Sequence, residues 1–176
     1  MVSLVIGGAA SGKSAFAEEL LLQAEGVRYY IATLYPFDLE CRRRIERHRA
    51  MRAQKDFVTI ERYTDLSGLV LPERGNVLLE CMTNLVANEL YDPEGAGGAA
   101  LEAILRGVDR LRMQCEHLVI VSGELFSAGT DYEGDTLHYL RLLATVNRRL
   151  AAQADAVYEL VCGLPVCHKG GQENMP

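Results

Sequence analysis

Short apolar runs rich in β-branched residues alternate along this chain with stretches whose apolar positions recur at helical spacing. The runs Val2–Ile6, Val27–Thr33, Phe57–Ile60, Val77–Cys81, Leu118–Ser122 and Ala156–Val161 predict strands. The periodic stretches Lys13–Gln23, Phe37–Ala53, Met82–Leu90, Ala99–Gln114 and Asp135–Ala154 predict helices. Strands apolar on both faces, alternating with helices, predict an α/β fold. Its mostly parallel central sheet carries helices on both sides, joined by right-handed crossovers. Ligands in such folds bind at the carboxyl ends of the strands. Two Gly-containing segments, Tyr91–Gly98 and Leu125–Gly134, predict loops, and the polar residues from Lys169 onward a frayed end. There is no internal repeat. One domain over residues 1–170 with a polar tail at 171–176 is expected.

The first strand–helix junction carries chemistry. Gly7-Gly8-Ala9-Ala10-Ser11-Gly12-Lys13-Ser14 matches the phosphate-loop pattern G-x-x-x-x-G-K-[ST]. A loop between strand and helix turns successive backbone N–H groups toward phosphate oxygens at the positive end of the helix dipole. The glycines leave room for phosphate. Lys13 supplies a cation for the β- and γ-phosphates, and the Ser14 hydroxyl is placed for Mg²⁺. A plain Gly-rich turn is the alternative. Strand, loop, Lys-Ser and helix together favour nucleoside triphosphate binding.

Phosphate-loop enzymes place a carboxylate on a neighbouring strand near the metal. In Asn76-Val77-Leu78-Leu79-Glu80-Cys81 an apolar run ends in Glu80. A buried acid needs a partner, and a Mg²⁺ site shared with Ser14 supplies one. The other reading places Glu80 at a sheet edge.

Composition narrows the class. The 176 residues carry a net charge of −6 and are 49% hydrophobic, an ordinary globular balance that disfavours a nucleic-acid-coating surface. No stretch approaches membrane-spanning length, and the first apolar run is too short for a signal peptide. Cys41, Cys81, Cys115, Cys162 and Cys167 form no C-x-x-C pair and read as reduced thiols of a cytoplasmic protein. Cys162, Cys167 and His168 lack further ligands for a metal site and read as a strand end followed by a turn.

A basic segment stands out against this acidic background. Between Arg42 and Arg52 lie six arginines and one acid, Glu46, so the stretch carries +5 and the remainder −6 − 5 = −11. Local positive charge of this kind suggests an anionic ligand. Arg44, His48 and Arg52 fall at i, i+4 and i+8 on one helical face. Flanking arginines bias His48 toward neutral, nucleophilic imidazole and could hold a polyphosphate against it. The segment also reads as a solvated face with an incidental histidine.

Beyond the loop, the chain resembles the bifunctional adenosylcobinamide kinase/adenosylcobinamide-phosphate guanylyltransferases of cobalamin biosynthesis. The segments carrying the resemblance run nearly the whole length. They are the phosphate loop, Tyr30-Ile31-Ala32-Thr33, Arg44-Ile45-Glu46-Arg47-His48-Arg49, Thr59-Ile60-Glu61, Leu79-Glu80-Cys81-Met82-Thr83-Asn84-Leu85, Asn147-Arg148-Arg149-Leu150-Ala151 and Ala154-Asp155-Ala156-Val157. The resemblance implies a P-loop NTPase (RecA-like) three-layer sandwich. It also implies two reactions: phosphorylation of adenosylcobinamide by a nucleoside triphosphate, and GMP transfer from GTP to adenosylcobinamide phosphate through a GMP–histidine intermediate. His48 matches the motif histidine, with Lys13 as its catalytic companion. Residues Gly7, Gly8, Ala9, Ala10, Ser11, Gly12, Lys13, Ser14, Ala32, Thr33, Leu34, Arg49, Ala50, Met51, Arg52, Glu61 and Glu80 match nucleotide-binding positions. Mg²⁺ on Ser14 and Glu80, GTP and ATP as substrates, and a homotrimer are further implications; neither nucleic acid nor a membrane span is expected.

The chain also departs from the family pattern. Ala10 replaces a common arginine, and the usual Arg-Pro and later tryptophan after the histidine are absent. Ser122-Gly123-Glu124-Leu125-Phe126-Ser127-Ala128-Gly129 replaces an Asn-Glu-Val-Gly segment, retaining only Glu124. Two other readings stay open: a phosphate-loop small-molecule kinase or NTPase without covalent catalysis, and a nucleotide-sensing module. The arginine-flanked His48 argues against the former, and Lys13, Ser14 and Glu80 argue against the latter.

Overall fold

The computed structural model describes residues 1–52, 55–126 and 132–170; the side chains of Arg44, Arg47, His48, Met51 and Arg52 lie outside the described set. Six runs form strands as expected: β1 (Val2–Gly7), β2 (Arg28–Ala32), β3 (Phe57–Glu61), β4 (Gly75–Glu80), β5 (Cys115–Val121) and β6 (Ala156–Val161). Between them run α1 (Lys13–Leu22), α2 (Leu39–Arg52), α3 (Met82–Tyr91), α4 (Ala100–Gln114) and α5 (Gly134–Gln153). Two short 3₁₀ turns, Leu66–Gly68 and Gly97–Ala99, punctuate the connections.

Alternation along each strand sorts side chains onto the two faces of the sheet. Leu4, Ile31, Val77 and Leu79 join one core, capped by Leu85 of α3, Ile104 of α4 and Val146 of α5. Val5, Tyr30 and Leu78 join the other, capped by Phe16 and Leu21 of α1. Phe16 meets Tyr158 edge to face with ring centroids 5.2 Å apart. The result is the expected three-layer sandwich, and the strands apolar on both faces are those with a helix layer on each side.

The sheet order is β3-β2-β4-β5-β1-β6 followed by a seventh strand, β7 (Leu164–Lys169). The first six are parallel; β7 pairs antiparallel with β6. This strand corrects the reading of residues 162–170 as a turn and frayed end. Its signal was present in the sequence. Cys162 and Gly163, both at positive φ (51° and 83°), form a two-residue hairpin turn between β-prone runs. β3 also departs from the pattern of strands buried on both faces. It is the opposite edge, with Val58 49% exposed.

Helix α2 starts two residues later than expected. Asp38 caps it: its Oδ1 accepts the Cys41 N–H at 2.7 Å and its carbonyl accepts the Arg42 N–H at 3.0 Å. That cap holds the Asp38 carboxyl below the usual carboxylate pKa. The predicted C-terminal residue of this helix, Ala53, lies outside the described residues, as do 127–131 of the second loop and the tail 171–176.

Candidate active site

Strand β1 ends at Gly7, and the chain turns through the loop into α1. Gly7 is required there. A Cβ would lie 2.7 Å from the Leu160 carbonyl oxygen of β6 and 2.7 Å from Ser11 Oγ. Gly12 caps α1 in the left-handed region (φ 92°), where a side chain is strained. Neighbouring backbone braces the loop: Gly163 N–H donates to the Ser11 carbonyl at 3.1 Å and Glu124 N–H to the Gly7 carbonyl at 3.0 Å. The missed hairpin is therefore part of the loop's scaffold. Lys13 Nζ donates to the Gly8 carbonyl at 2.5 Å.

Glu80 is the last residue of β4, which lies between β2 and β5 rather than at an edge. It is 8% exposed, and Ser14 Oγ donates to its Oε1 at 2.5 Å. Serine hydroxyl and carboxylate thus converge in front of the phosphate loop. Both are hard oxygen donors suited to Mg²⁺, which takes one or two protein ligands and completes its octahedron with water and phosphate oxygens. Among the described residues no group of three His, Cys, Asp or Glu forms a further metal cluster. His168 Nε2 lies 2.7 Å from Glu159 Oε2.

The loop residues Gly7, Ala9, Ala10, Ser11, Gly12, Lys13 and Ser14 line a cleft of about 660 Å³. Its far wall is Glu80, Cys81 and Thr83 together with Val121, Ser122, Gly123 and Leu125 beyond β5. Glu80 and Cys81 also line a second, smaller pocket at the carboxyl ends of β2, β3 and β4. There Ala32, Leu34, Arg49 and Glu61 come together with Tyr30, Ile45, Thr59, Tyr63 and Asn84. Thr33 stands behind this surface. It is fully buried, and its hydroxyl accepts the Cys81 N–H at 2.7 Å and donates to the Cys81 carbonyl at 2.8 Å. Ala50 is exposed on α2. The side chains of His48, Met51 and Arg52 lie outside the described residues, but their helix contributes Ile45 and Arg49 to the pocket wall. Positions 45, 48, 49 and 52 share one helical face by spacing.

Charge and aromatic surface shape this pocket. Arg49 pairs with Glu61, whose other oxygen accepts the Tyr63 hydroxyl at 2.9 Å. Burial, then the hydrogen bond to the Glu61 carboxylate, pushes the Tyr63 phenol up to about 12. Tyr35 links Tyr63 to Phe37, with centroids 4.3 and 4.7 Å away. Sequence reasoning missed this aromatic trio. Tyr35 and Phe37 follow β2 and Tyr63 follows β3, so only the β2–β3 pairing reveals that they meet.

Comparisons with known proteins agree with this geometry. Residues 3–167 match the family described as cobinamide kinase / cobinamide phosphate guanyltransferase. The chain is 34% identical to the bifunctional adenosylcobalamin biosynthesis protein CobU of Escherichia coli over 94% of its length and 98% of that protein. It is 36% identical to CobU of Salmonella typhimurium, again over 94% of its length and 98% of that protein. It is 31% identical to CobP of Pseudomonas aeruginosa over 97% of its length and 98% of that protein. The chain belongs to this family of bifunctional enzymes. Among solved structures, a KaiC-like protein of Pyrococcus horikoshii OT3 aligns with a TM-score of 0.52 at 12% identity, covering 97% of this chain and 80% of that one. That likeness places the sandwich among RecA-like phosphate-loop folds. No helix among the described residues is long and apolar enough to cross a membrane.

Proposed function

We propose that this protein phosphorylates adenosylcobinamide with ATP or GTP and then transfers GMP from GTP to the product through an adduct on His48. The products are adenosylcobinamide-GDP and pyrophosphate. The observation that carries the reading is the pair of compartments meeting at Glu80 and Cys81. A phosphate-loop cleft alone suits a kinase. The second compartment, walled by a helix with six arginines between residues 42 and 52, adds what nucleotidyl transfer needs.

In the first reaction the acceptor hydroxyl attacks the γ-phosphorus, and the bond to the β-bridging oxygen breaks. Lys13 and the loop N–H groups stabilise charge on the phosphate oxygens. Mg²⁺, when held by Ser14 and Glu80, neutralises charge on the β- and γ-phosphates. In the second reaction a neutral His48 ring nitrogen bonds to the α-phosphorus of GTP as pyrophosphate leaves. An oxygen of adenosylcobinamide phosphate then takes the GMP, and the N–P bond breaks. Arg49 and the other arginines of α2 orient the triphosphate. A homotrimer in the cytoplasm completes the reading, and sedimentation of the purified protein tests the assembly.

Incubation with GTP labelled at the α-phosphate, followed by denaturation, is expected to leave acid-labile, base-stable label on the peptide containing His48. His48→Ala should abolish labelling and guanylyl transfer while sparing phosphorylation of adenosylcobinamide. Label on His117, His138 or His168, or normal transfer without any adduct, refutes the covalent route and favours a kinase without it.

A further inference from the structure

Thr33 is fully buried behind Cys81, the residue that follows Glu80 and lines both pockets. We propose that the Thr33 side chain, braced by Asn88, positions Glu80 to hold the Mg²⁺ of a bound nucleoside triphosphate and makes no contact with the nucleotide itself. The inference rests on the reading of Ser14 and Glu80 as the Mg²⁺ ligands.

Strand pairing brings the parts together and then stops. The β2–β4 register ends with Ala32 opposite Glu80. Thr33 carries the contact past that end. Its N–H donates to the Glu80 carbonyl at 3.1 Å. Its hydroxyl donates to the Cys81 carbonyl at 2.8 Å and accepts the Cys81 N–H at 2.7 Å. Glu80 and Cys81, where β4 gives way to α3, are thus held through three bonds from one residue. A threonine hydroxyl has one proton. This one goes to Cys81, so none is left for a phosphate or ribose oxygen.

Asn88 closes a ring around the same corner. Cys81 is the N-cap residue of α3, and its carbonyl accepts the Leu85 N–H at 3.2 Å. Two turns into that helix the buried Asn88 reaches back. Its Nδ2 donates to the Thr33 carbonyl at 2.9 Å and to the Tyr63 carbonyl at 3.0 Å. Thr33, Cys81, α3 and Asn88 therefore brace one another. Buried hydrogen bonds of this kind are costly to break singly, because each partner left behind has no water to turn to.

The carboxylate benefits from this rigidity. Glu80 is itself buried and accepts the Ser14 hydroxyl at 2.5 Å in front of the phosphate loop. Mg²⁺ demands near-ideal octahedral geometry, so a ligand on a shifting backbone binds it poorly. Groups that orient a metal ligand from behind are typically worth roughly 10–100-fold in metal affinity. The family resemblance sets Thr33 among nucleotide-binding positions; here its side chain acts on the nucleotide through Glu80 and the metal.

Binding of a fluorescent GTP analogue to the full-length protein, titrated in excess EDTA and in excess Mg²⁺, tests this. Wild type should bind more tightly in Mg²⁺. Thr33→Val keeps the shape of the side chain and removes the hydroxyl. It should bind about tenfold more weakly than wild type in Mg²⁺ and equally well in EDTA. Thr33→Ser, which can make both bonds to Cys81, should restore the Mg²⁺ effect. Should Thr33→Val fail to fold, Thr33→Cys, whose thiol fills the site but bonds weakly, carries the same expectation. Asn88→Ala, which also releases the Tyr63 carbonyl, should weaken binding in both solutions, and more in Mg²⁺. An equal loss in both solutions for Thr33→Val, no loss in Mg²⁺, or no restoration by Thr33→Ser overturns the positioning role and leaves the Mg²⁺ reading standing. Wild-type binding that Mg²⁺ does not tighten overturns both.

Discussion

The phosphate loop and the basic helix wall adjoining pockets yet are built in opposite ways. The loop is fixed by backbone and packing. Gly7 has no room for a side chain, Ser11 and Gly7 carbonyls are bonded to neighbouring strands' loops, and α1 buries Phe16, Ala17 and Leu21. Helix α2 is rich in charge, and its described side chains, Leu39 and Ile45 among them, are exposed or half-buried. Among the described side chains it buries no apolar stripe. Described side chains anchor it by charge: Arg49 to Glu61, and just beyond it Lys55 to Glu18, a carboxylate only 3% exposed on α1. A rigid anion cradle needs backbone precision. On the proposed reading, a helix that engages a triphosphate can be positioned by ion pairs that a polyanion perturbs.

The largest expected effect is on the rigid side. Lys13→Ala should slow both reactions about 10²–10³-fold, the scale of losing one preorganised donor to transition-state charge, worth roughly 3–4 kcal/mol. Parallel assays of phosphorylation and guanylyl transfer check it. Loss of only one reaction would mean the loop does not serve both.

Next comes the tie between the two regions. Lys55→Met leaves Glu18 buried without its cation and should cost about 2–3 kcal/mol in denaturant unfolding, below the range for fully buried pairs because Lys55 is 28% exposed. Glu18→Gln in the same background should recover part of that loss by removing the stranded charge. No recovery would make the pair incidental to how α2 is held.

Arg49→Gln removes an ion pair in which both side chains are about half exposed, 55% and 46%. Its effect on folding should be under about 1 kcal/mol. Guanylyl transfer should fall and lose salt sensitivity relative to phosphorylation. Equal losses in both reactions would place Arg49 outside the transfer step.

The smallest effect concerns the pocket wall. The folded-state value of the Tyr63 phenol, near 12, lies above its unfolded value near 10. Its contribution to stability is therefore complete below pH 10 and lost as pH rises toward 12. Glu61→Gln removes a raising influence, so phenolate absorbance should titrate earlier in that variant. An unmoved titration would assign the shift to burial alone.

Much of this protein was legible in one dimension. Interior strands read as apolar runs because both their faces are covered, and the phosphate loop is a local device whose glycines, lysine and serine act within eight residues. Glu80 was legible as an acid ending an apolar run. The choice between a partner at Ser14 and a sheet edge came only from the β2-β4-β5-β1 order, which puts Glu80 in the sheet interior and its carboxylate against the Ser14 hydroxyl. The strand β7 was missed because a lone Cys-Gly turn is a weak signal until its carbonyl and N–H neighbours are known. The aromatic trio, the Lys55–Glu18 tie and the Asn88 brace join residues far apart in the chain. Sequence determines such residues' chemistry, since that resides in single side chains. Tertiary structure decides their partnership, because which faces meet depends on strand order and crossovers that no local pattern encodes.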